Sequence, residues 1–295
     1  MVCIGAFDGV HRGHVDVIAH GRVHADAAGV PLVAMTFDPH PRSLLADTGA
    51  PPSLCSLDDR IELLLAAGAD EVDVVEFDAA FASLSAQAFI DDCLIEGFAP
   101  VCVVVGEDFR FGAGGTGSVV TLEESGRAAG FVVDAVPLLS EDGQKVSSSR
   151  IRALIAEGDV IEAARLLGRP YRVEGTVVHG DHRGRELGFP TANLQLDGHP
   201  AIPADGVYAS YLVVDGHWWP AATSVGTNPH FDGQEHRVEA HVLDRDDLDL
   251  YGQHVAVEFV EHLRGQEVFD SVDALVAQMA VDVDRARALA AGGLG

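Results

Sequence analysis

Lysine is nearly absent: Lys145 is the only one in 295 residues. Against 46 aspartates and glutamates stand 19 lysines and arginines, a net charge of −27. A field of that sign repels polyanions, which argues against nucleic acid or an anionic membrane as a partner. Any site for an anionic ligand must then rely on local donors and a divalent cation. The acidity suits a salty cytoplasm or simply an acidic, arginine-preferring proteome, and both readings stay open. Long apolar runs are missing too. None approaches the ~18 residues of a membrane span, although 47% of the residues are hydrophobic. No charged n-region precedes a cleavable apolar stretch, so no secretory signal is expected. Cys3, Cys55, Cys93 and Cys102 lack C-x-x-C spacing, and Cys3 and Cys102 sit in apolar runs where buried free thiols are common. A reducing cytoplasm is the expected compartment. No internal repeat is visible, and the length accommodates two domains, each with its own core.

The densest stretch present is Gly5-Ala6-Phe7-Asp8-Gly9-Val10-His11-Arg12-Gly13-His14. A short apolar strand, Val2-Cys3-Ile4, precedes it and a helix-like run to Gly29 follows. Strand, glycine-rich turn and helix start together favour a bound phosphate, through amide N–H groups and the helix dipole. Gly5, Gly9 and Gly13 let the backbone turn sharply and approach a ligand. His11 and His14, three apart, share a helical face and can donate hydrogen bonds to developing charge. H-x-x-H alone more often marks surface histidines or half a metal site. Zinc needs a third ligand, and no nearby spacing supplies one.

Strand and helix then alternate. Strands are expected at Pro31–Phe37, Val72–Phe77, Val101–Val105 and Phe131–Val136, and helices at Leu57–Ala67, Ser85–Glu96 and Leu122–Ala129. Short connections predict a parallel Rossmann-like sheet. Asp38-Pro39-His40-Pro41 and Gly106-Glu107-Asp108-Phe109-Arg110-Phe111-Gly112 both follow strands, at the end where open α/β sheets bind ligands. Lys145-Val146-Ser147-Ser148-Ser149-Arg150-Ile151-Arg152 closes this half. Its serines cap a helix at Arg150–Ile155, or carry hydroxyls and cations to phosphates. After a helix at Val160–Leu167 the pattern changes at Gly168-Arg169-Pro170, which sets domains of 1–168 and 169–295. Runs at Tyr171–Val178, Tyr208–Val214, Trp218–Thr223, Val238–Leu243 and Val255–Phe259 predict an antiparallel β-barrel. A final helix from Ser271 should pack with Val272, Leu275, Val276, Met279, Val283 and Ala286 inward. The residues Gly292-Gly293-Leu294-Gly295 are expected to fray.

The second dense motif runs from Gly175 to Asn193. Gly180, Gly184 and Gly188 free amides to wrap a phosphate chain, and Pro190 stiffens the exit. Thr191 and Asn193, two apart, point the same way in extended chain. Their hydroxyl and amide oxygens are hard donors suited to Mg²⁺. There is no G-K-[ST], so this is not a Walker A loop. On these residues alone an ordinary barrel loop with a Pro-Thr turn stays open.

Both strings resemble motifs of one family. The first is similar to the G-x-F-D-G-V-H-x-G-H motif of bacterial bifunctional riboflavin kinase/FAD synthetases. The second resembles their G-R-x-L-G-F-P-T-A-N motif, here Gly184 to Asn193. Gly206-Val207-Tyr208-Ala209, Ser224-Val225-Gly226-Thr227-Asn228-Pro229, Val238-Glu239-Ala240-His241, Asp249-Leu250-Tyr251-Gly252 and Leu263-Arg264 follow in family order. The resemblance implies an α/β Rossmann-like nucleotidyltransferase domain, then an antiparallel β-barrel flavokinase domain with a C-terminal helix. It implies two reactions, ATP-dependent phosphorylation of riboflavin to FMN and adenylylation of FMN to FAD. His11 and His14 would bind ATP phosphates and stabilise adenylyl transfer, with Gly5, Phe7, Asp8, Gly9 and Gly13 around them. Ser147, Ser148, Ser149 and Arg152 match the family's S-S-T-x-x-R segment, Ser149 standing where threonine is usual, and Lys145 just before it would also reach the ATP phosphates. Asp38, His40, Phe109 and Phe111 would lie near the flavin. In the barrel, Gly175, Gly180, Gly188 and Pro190 would surround ATP, and Thr191 and Asn193 would hold Mg²⁺. Glu239 would take the riboflavin 5′-hydroxyl proton, and Arg264 would lie near the flavin. Riboflavin, FMN and ATP are the implied partners. Family members carry more residues before the first motif, so a truncated start is expected, and His230 stands where threonine is commoner. Two rivals are a flavokinase with an altered N-terminal half and a flavin-binding regulator. The intact histidine motif and the presence of Glu239, Thr191 and Asn193 speak against them.

Overall fold

The computed structural model describes residues 1–45, 49–180, 187–227, 236–245 and 247–292. Asp181, His182, Arg183, Gly184, Arg185 and Glu186 of the second motif lie outside the described residues, as do Asn228, Pro229, His230 and the tail from Gly293. Contacts divide the chain into two compact units, Met1–Pro51 with Leu57–Ser148, and Pro52–Ser56 with Ser149–Gly295.

The strands of the first unit are β1 (Val2–Ile4), β2 (Val33–Asp38), β3 (Glu71–Glu76), β4 (Cys102–Gly106), β5 (Arg110–Phe111), β6 (Gly117–Ser118), β7 (Val132–Val136), β8 (Ser140–Glu141) and β9 (Gln144–Lys145). Five form a parallel sheet in the order β3-β2-β1-β4-β7. Period two sends Cys3 and Val104 to one core, with Ile18 and Leu32, and Ile4 and Val103 to the other, with Met35 and Ile90. Apolar residues at adjacent positions are what a sheet covered on both faces requires. Strand order reverses between β1 and β4, so a crevice opens at their carboxyl ends.

Helices α1 (Arg12–Ala28), α2 (Arg42–Leu45), α3 (Leu57–Ala66), α4 (Ala79–Ala82), α5 (Ala86–Ala88) and α6 (Val119–Ala129) belong to this unit. The helix expected at Ser85–Glu96 is α5 running into a π-helical turn, Phe89–Glu96. The helix expected from Leu122 starts earlier, at Val119, because Ser118 and Thr121 form a reciprocal capping box.

In the second unit, β10 (Tyr171–Val178), β11 (Ala192–Leu196), β12 (Gly206–Val214), β13 (His217–Thr227), β14 (His236–Val242) and β15 (His254–Gly265) close a barrel in the order β10-β11-β14-β13-β12-β15. Neighbouring strands are antiparallel throughout. Tyr171, Val173 and Val177 of β10 and Val238, Ala240 and Val242 of β14 fill the inside, so the residues between them face out. Strand β11 is absent from the sequence-based reading: polar Asn193 and Gln195 alternate with Ala192, Leu194 and Leu196, and a run this short reads as loop. Helices α7 (Ser148–Glu157) and α8 (Val160–Leu167) belong to this unit by contact, although the sequence pattern changes only at Gly168. Asp159 caps α8, Gly168 ends it with φ +80°, and α8 packs on β10 and β15. The segment Pro52–Ser56 joins this unit as well. Ser53 N–H donates to the His199 carbonyl at 2.8 Å, and Ala201 N–H to the Ser53 carbonyl at 2.8 Å.

The last helix, α9 (Val272–Ala291), is capped by Ser271 and lies on β12 and β13. Its inward face differs from the expected one at its first turn, where Val272 is 60% exposed. Asp282 is buried instead, held by the Arg264 guanidinium through Nη2 at 2.8 Å and Nε at 3.0 Å.

Candidate active sites

In the first unit the turn between β1 and α1 is held under strain. Phe7 (φ +48°) and Val10 (φ +37°) adopt left-handed backbone, as does Gly9 (φ +80°). Non-glycine residues in that region cost about 1–3 kcal/mol each, so the surroundings must over-determine the turn. The contacts that do so are specific. Gly5 N–H donates to the Met35 carbonyl at 3.1 Å and Val10 N–H to the Phe7 carbonyl at 3.0 Å. The Thr36 hydroxyl donates to the Ala6 carbonyl at 3.0 Å and the Ser148 hydroxyl to the Asp8 carbonyl at 2.9 Å. Asp8 is buried. Ser148, expected as a cap, therefore fastens the turn between β1 and α1.

His11 is the N-cap of α1: its Nδ1 accepts from His14 N–H at 3.3 Å. A neutral His11 then carries its proton on Nε2. The two imidazoles stack with centroids 3.6 Å apart and planes 16° from parallel, and Phe7 meets His14 edge-on at 5.3 Å. Gly13 fits beneath, since a Cβ there would come within 3.2 Å of the His11 ring. The result is a rigid pair of ring donors at a helix N-terminus, which suits it to a phosphate group.

The other expected residues of this unit fall in several places. Asp38 ends β2 and His40 follows it, the Asp38–Pro39 peptide is cis, and His40 Nδ1 accepts from Arg42 N–H at 3.1 Å. Phe109 stacks on Phe111 at 5.6 Å, but Phe111 is a core residue packed on Phe89 at 5.2 Å. Lys145 ion-pairs with Asp108 at 2.5 Å, and Arg12 with Glu141. These pairs tie the β8–β9 hairpin to the loop after β4 and to the start of α1. Ser147 and Ser148 belong to the first unit, whereas Ser149 and Arg152 belong to the second, where Arg152 Nε donates to the Pro52 carbonyl at 2.6 Å. Burial pushes the Cys3 thiol up to about 12 and that of Cys102 to about 11. Both stay neutral and are poor nucleophiles.

In the barrel, strand register assembles the second group. Asn193 lies opposite Glu239 on β14, and Glu239 opposite Ser224 on β13. Directly opposed residues share a sheet face, so an amide, a carboxyl and a hydroxyl form a row on the outside of the barrel. Asn193 Nδ2 lies 3.3 Å from Thr191 Oγ1, as expected of side chains two apart. Gly180 comes against this amide: a Cβ there would sit 2.5 Å from Asn193. Gly188 has φ +86°. Gly175 serves the barrel wall, since a Cβ would lie 2.3 Å from the Gln195 carbonyl. Arg264 is engaged with Asp282.

His241 was not singled out from sequence. It shares Glu239's face, its Nδ1–H donates to the Pro190 carbonyl at 2.8 Å, and Phe189 meets it edge-on at 5.4 Å. Period-two alternation from Glu239 was the available signal. Beside Thr191 a cavity is lined by Val177, Pro190, Val242, Arg245, Leu250 and Tyr251. Among the described residues no three His, Cys, Asp or Glu side chains form a metal cluster, and no helix is long and apolar enough to cross a membrane.

Comparison with known proteins finds two families in tandem. A family described as FAD synthetase matches residues 1–150, and one described as riboflavin kinase matches residues 167–290. The bifunctional riboflavin kinase/FMN adenylyltransferase of Escherichia coli (strain K12) is 38% identical over 288 residues, covering 97% of this chain and 91% of the relative. That of Pseudomonas fluorescens is 39% identical over 290 residues, 98% and 92% of the two chains. That of Bacillus subtilis (strain 168) is 35% identical over 292 residues, 97% and 91%. A crystal structure from Streptococcus pneumoniae described as a macrolide-efflux protein superposes with a TM-score of 0.87 at 35% identity, covering 97% of this chain and 93% of that one. With two family matches in tandem and relatives alike over nearly their whole length, the chain belongs to the bifunctional riboflavin kinase/FMN adenylyltransferases.

Proposed function

We propose that the barrel transfers the γ-phosphoryl group of ATP to riboflavin, giving FMN, and that the N-terminal sheet transfers AMP from a second ATP to FMN, giving FAD and pyrophosphate. The observation that carries this reading is the pairing of two separately built centres in one chain: stacked His11 and His14 at a strained turn, and Asn193 opposite Glu239 on a barrel face with Thr191 beside the Asn193 amide. Functional domains of 1–168 and 169–295 follow the pattern change, whereas the compact units divide at Ser148.

In the barrel, Glu239 accepts the proton of the riboflavin 5′-hydroxyl as it attacks the γ-phosphorus, and the rigid strand fixes its approach. Thr191 Oγ1 and Asn193 Oδ1 are the neutral oxygens that would hold Mg²⁺ together with phosphate oxygens; the Asn193 Nδ2 that donates to Thr191 Oγ1 at 3.3 Å would give way, the amide turning its oxygen to the ion. Such an ion would offset the phosphate charge. Gly180 keeps the Asn193 amide uncovered by a side chain. In the first unit, His11 Nε2–H and the His14 ring face charge that grows on the α-phosphate and the departing pyrophosphate. Asp38, His40 and Phe109, at the carboxyl ends of the strands, border the flavin. Free thiols at Cys3, Cys55, Cys93 and Cys102 fit work in the cytoplasm.

Incubation with riboflavin, ATP and Mg²⁺, followed by chromatographic separation, should yield FMN and then FAD. Glu239→Gln should lower FMN formation by ~10²–10⁴ while conversion of supplied FMN to FAD continues. A Gln variant that makes FMN at a near-normal rate removes the assignment of the base.

A further inference from the structure

Arg60 is unusual for this molecule. It lies in α3 at 4% exposure, a buried cation, and no ion pair joins it to a carboxylate among the described residues. Its Nε, also buried, has no hydrogen-bond partner. A buried guanidinium without a counter-charge opposes folding, so its presence calls for an explanation outside core packing.

Its one close bond shows where it acts. Arg60 Nη1 donates to the Phe37 carbonyl at 2.9 Å and lies 3.5 Å from Thr36 Oγ1. That hydroxyl in turn donates to the Ala6 carbonyl at 3.0 Å. Ala6 immediately precedes Phe7, the first left-handed residue of the strained turn. Phe37 immediately precedes Asp38 and the cis peptide. One side chain thus grips the carboxyl end of β2, between the turn that carries His11 and the Asp38–His40 segment. Strained backbone persists only where its surroundings dictate it, and the Thr36–Ala6 bond is among the contacts that do so.

We propose that Arg60 is a positioning residue for adenylyl transfer. It sets the end of β2 and, through the Thr36 hydroxyl, the backbone from Ala6 to His11, so that the stacked imidazoles meet the phosphate in register. This rests on assigning adenylyl transfer to the first unit. At 4% exposure the cation acts through the backbone it holds, and its cost in stability is retained because small displacements of aligned groups slow reactions steeply.

The test uses Arg60→Met, which keeps bulk without charge or donors, and Arg60→Lys, which keeps the cation and a donor for the Phe37 carbonyl, in the full chain. Hydrogen exchange of amides 5–11 and of Asp38, His40 and Arg42 is read first, since it needs no turnover. Faster exchange there in the Met variant, with β4 and β7 unchanged and the melting temperature equal or higher, is the expected result. The FAD-forming kcat should fall roughly ten- to hundredfold with KM for ATP within about twofold, and Lys should recover most of it. FMN formation in the barrel serves as the internal control. Unchanged exchange in both segments overturns the proposal. So does a Met variant whose melting temperature, KM and kcat fall together without rescue by Lys, which marks a purely structural arginine. If the unmodified chain makes FMN but no FAD, the adenylyl-transfer assignment fails and the positioning role for that reaction is overturned with it. An exchange difference would still show that Arg60 holds the turn.

Discussion

His11 does two things with one ring. Its Nδ1 caps α1, and its Nε2 carries the proton of the neutral ring. Removing an N-cap side chain costs about 1 kcal/mol, and removing a donor to developing charge costs ~10²–10³ in rate. The two losses can be separated. His11→Asn keeps a capping oxygen without the imidazole and should melt close to the parent while FAD formation falls by that factor. His11→Ala should lose both. His14→Ala, which removes the stacked partner but no cap, should resemble the Asn variant. Thermal melts beside rates of FMN and FAD formation check all three. An Asn variant that makes FAD at the parent rate would leave His11 with a structural role alone.

At the scale of elements, α9 is fastened to β15 through Arg264 and Asp282, buried to 14% and 4% side-chain exposure. Gln278 Nε2 adds a bond to Asp282 Oδ1 at 3.0 Å. Breaking one side of a buried pair costs about 3–5 kcal/mol because the other charge is stranded. Asp282→Asn should therefore lower the melting temperature clearly, and the loss should appear as faster exchange along α9. Riboflavin KM provides the second reading, since Arg264 was expected near the flavin. A stability loss with unchanged KM would confine Arg264 to holding the helix.

The whole molecule divides differently by contact than by sequence pattern, and this changes what a truncated kinase should contain. A fragment 170–295 discards α8, whose Val160, Leu166 and Leu167 are buried in the barrel's unit. Each such side chain is worth about 1.5–3 kcal/mol. Fragment 149–295 should fold and make FMN, and fragment 170–295 should melt far lower or aggregate; circular dichroism and the FMN assay distinguish them. Equal stability of the two would show that α8 adds nothing to the barrel. Net charge also acts at this scale. With −27 charges, self-repulsion should weaken as salt shortens the Debye length from about 10 Å at 0.1 M to about 3 Å at 1 M. The melting temperature should rise over that range in NaCl. A flat or falling curve would show that local ion pairs such as Arg287–Asp244, rather than net repulsion, dominate.

Much was decided locally and so was readable in the sequence. Hydrophobic period, glycine stops and serine caps marked most strands and helices, because each depends on neighbours a few residues away. The spacing of His11 and His14, and of Thr191 and Asn193, already put each pair on one face. Other features depend on distant partners. Strand β11 exists because β10 and β14 supply its hydrogen bonds, and Asn193 meets Glu239 only through barrel register. Asp282 looks like a surface aspartate until Arg264 arrives beside it. Phe111 looks like a flavin contact until the core closes on Phe89. Arg60 reads as one charge among many on an amphipathic helix. Its burial against the end of β2, and its hold on the turn before His11, came only with the tertiary structure, since hydrogen bonds between remote segments leave no period in the chain.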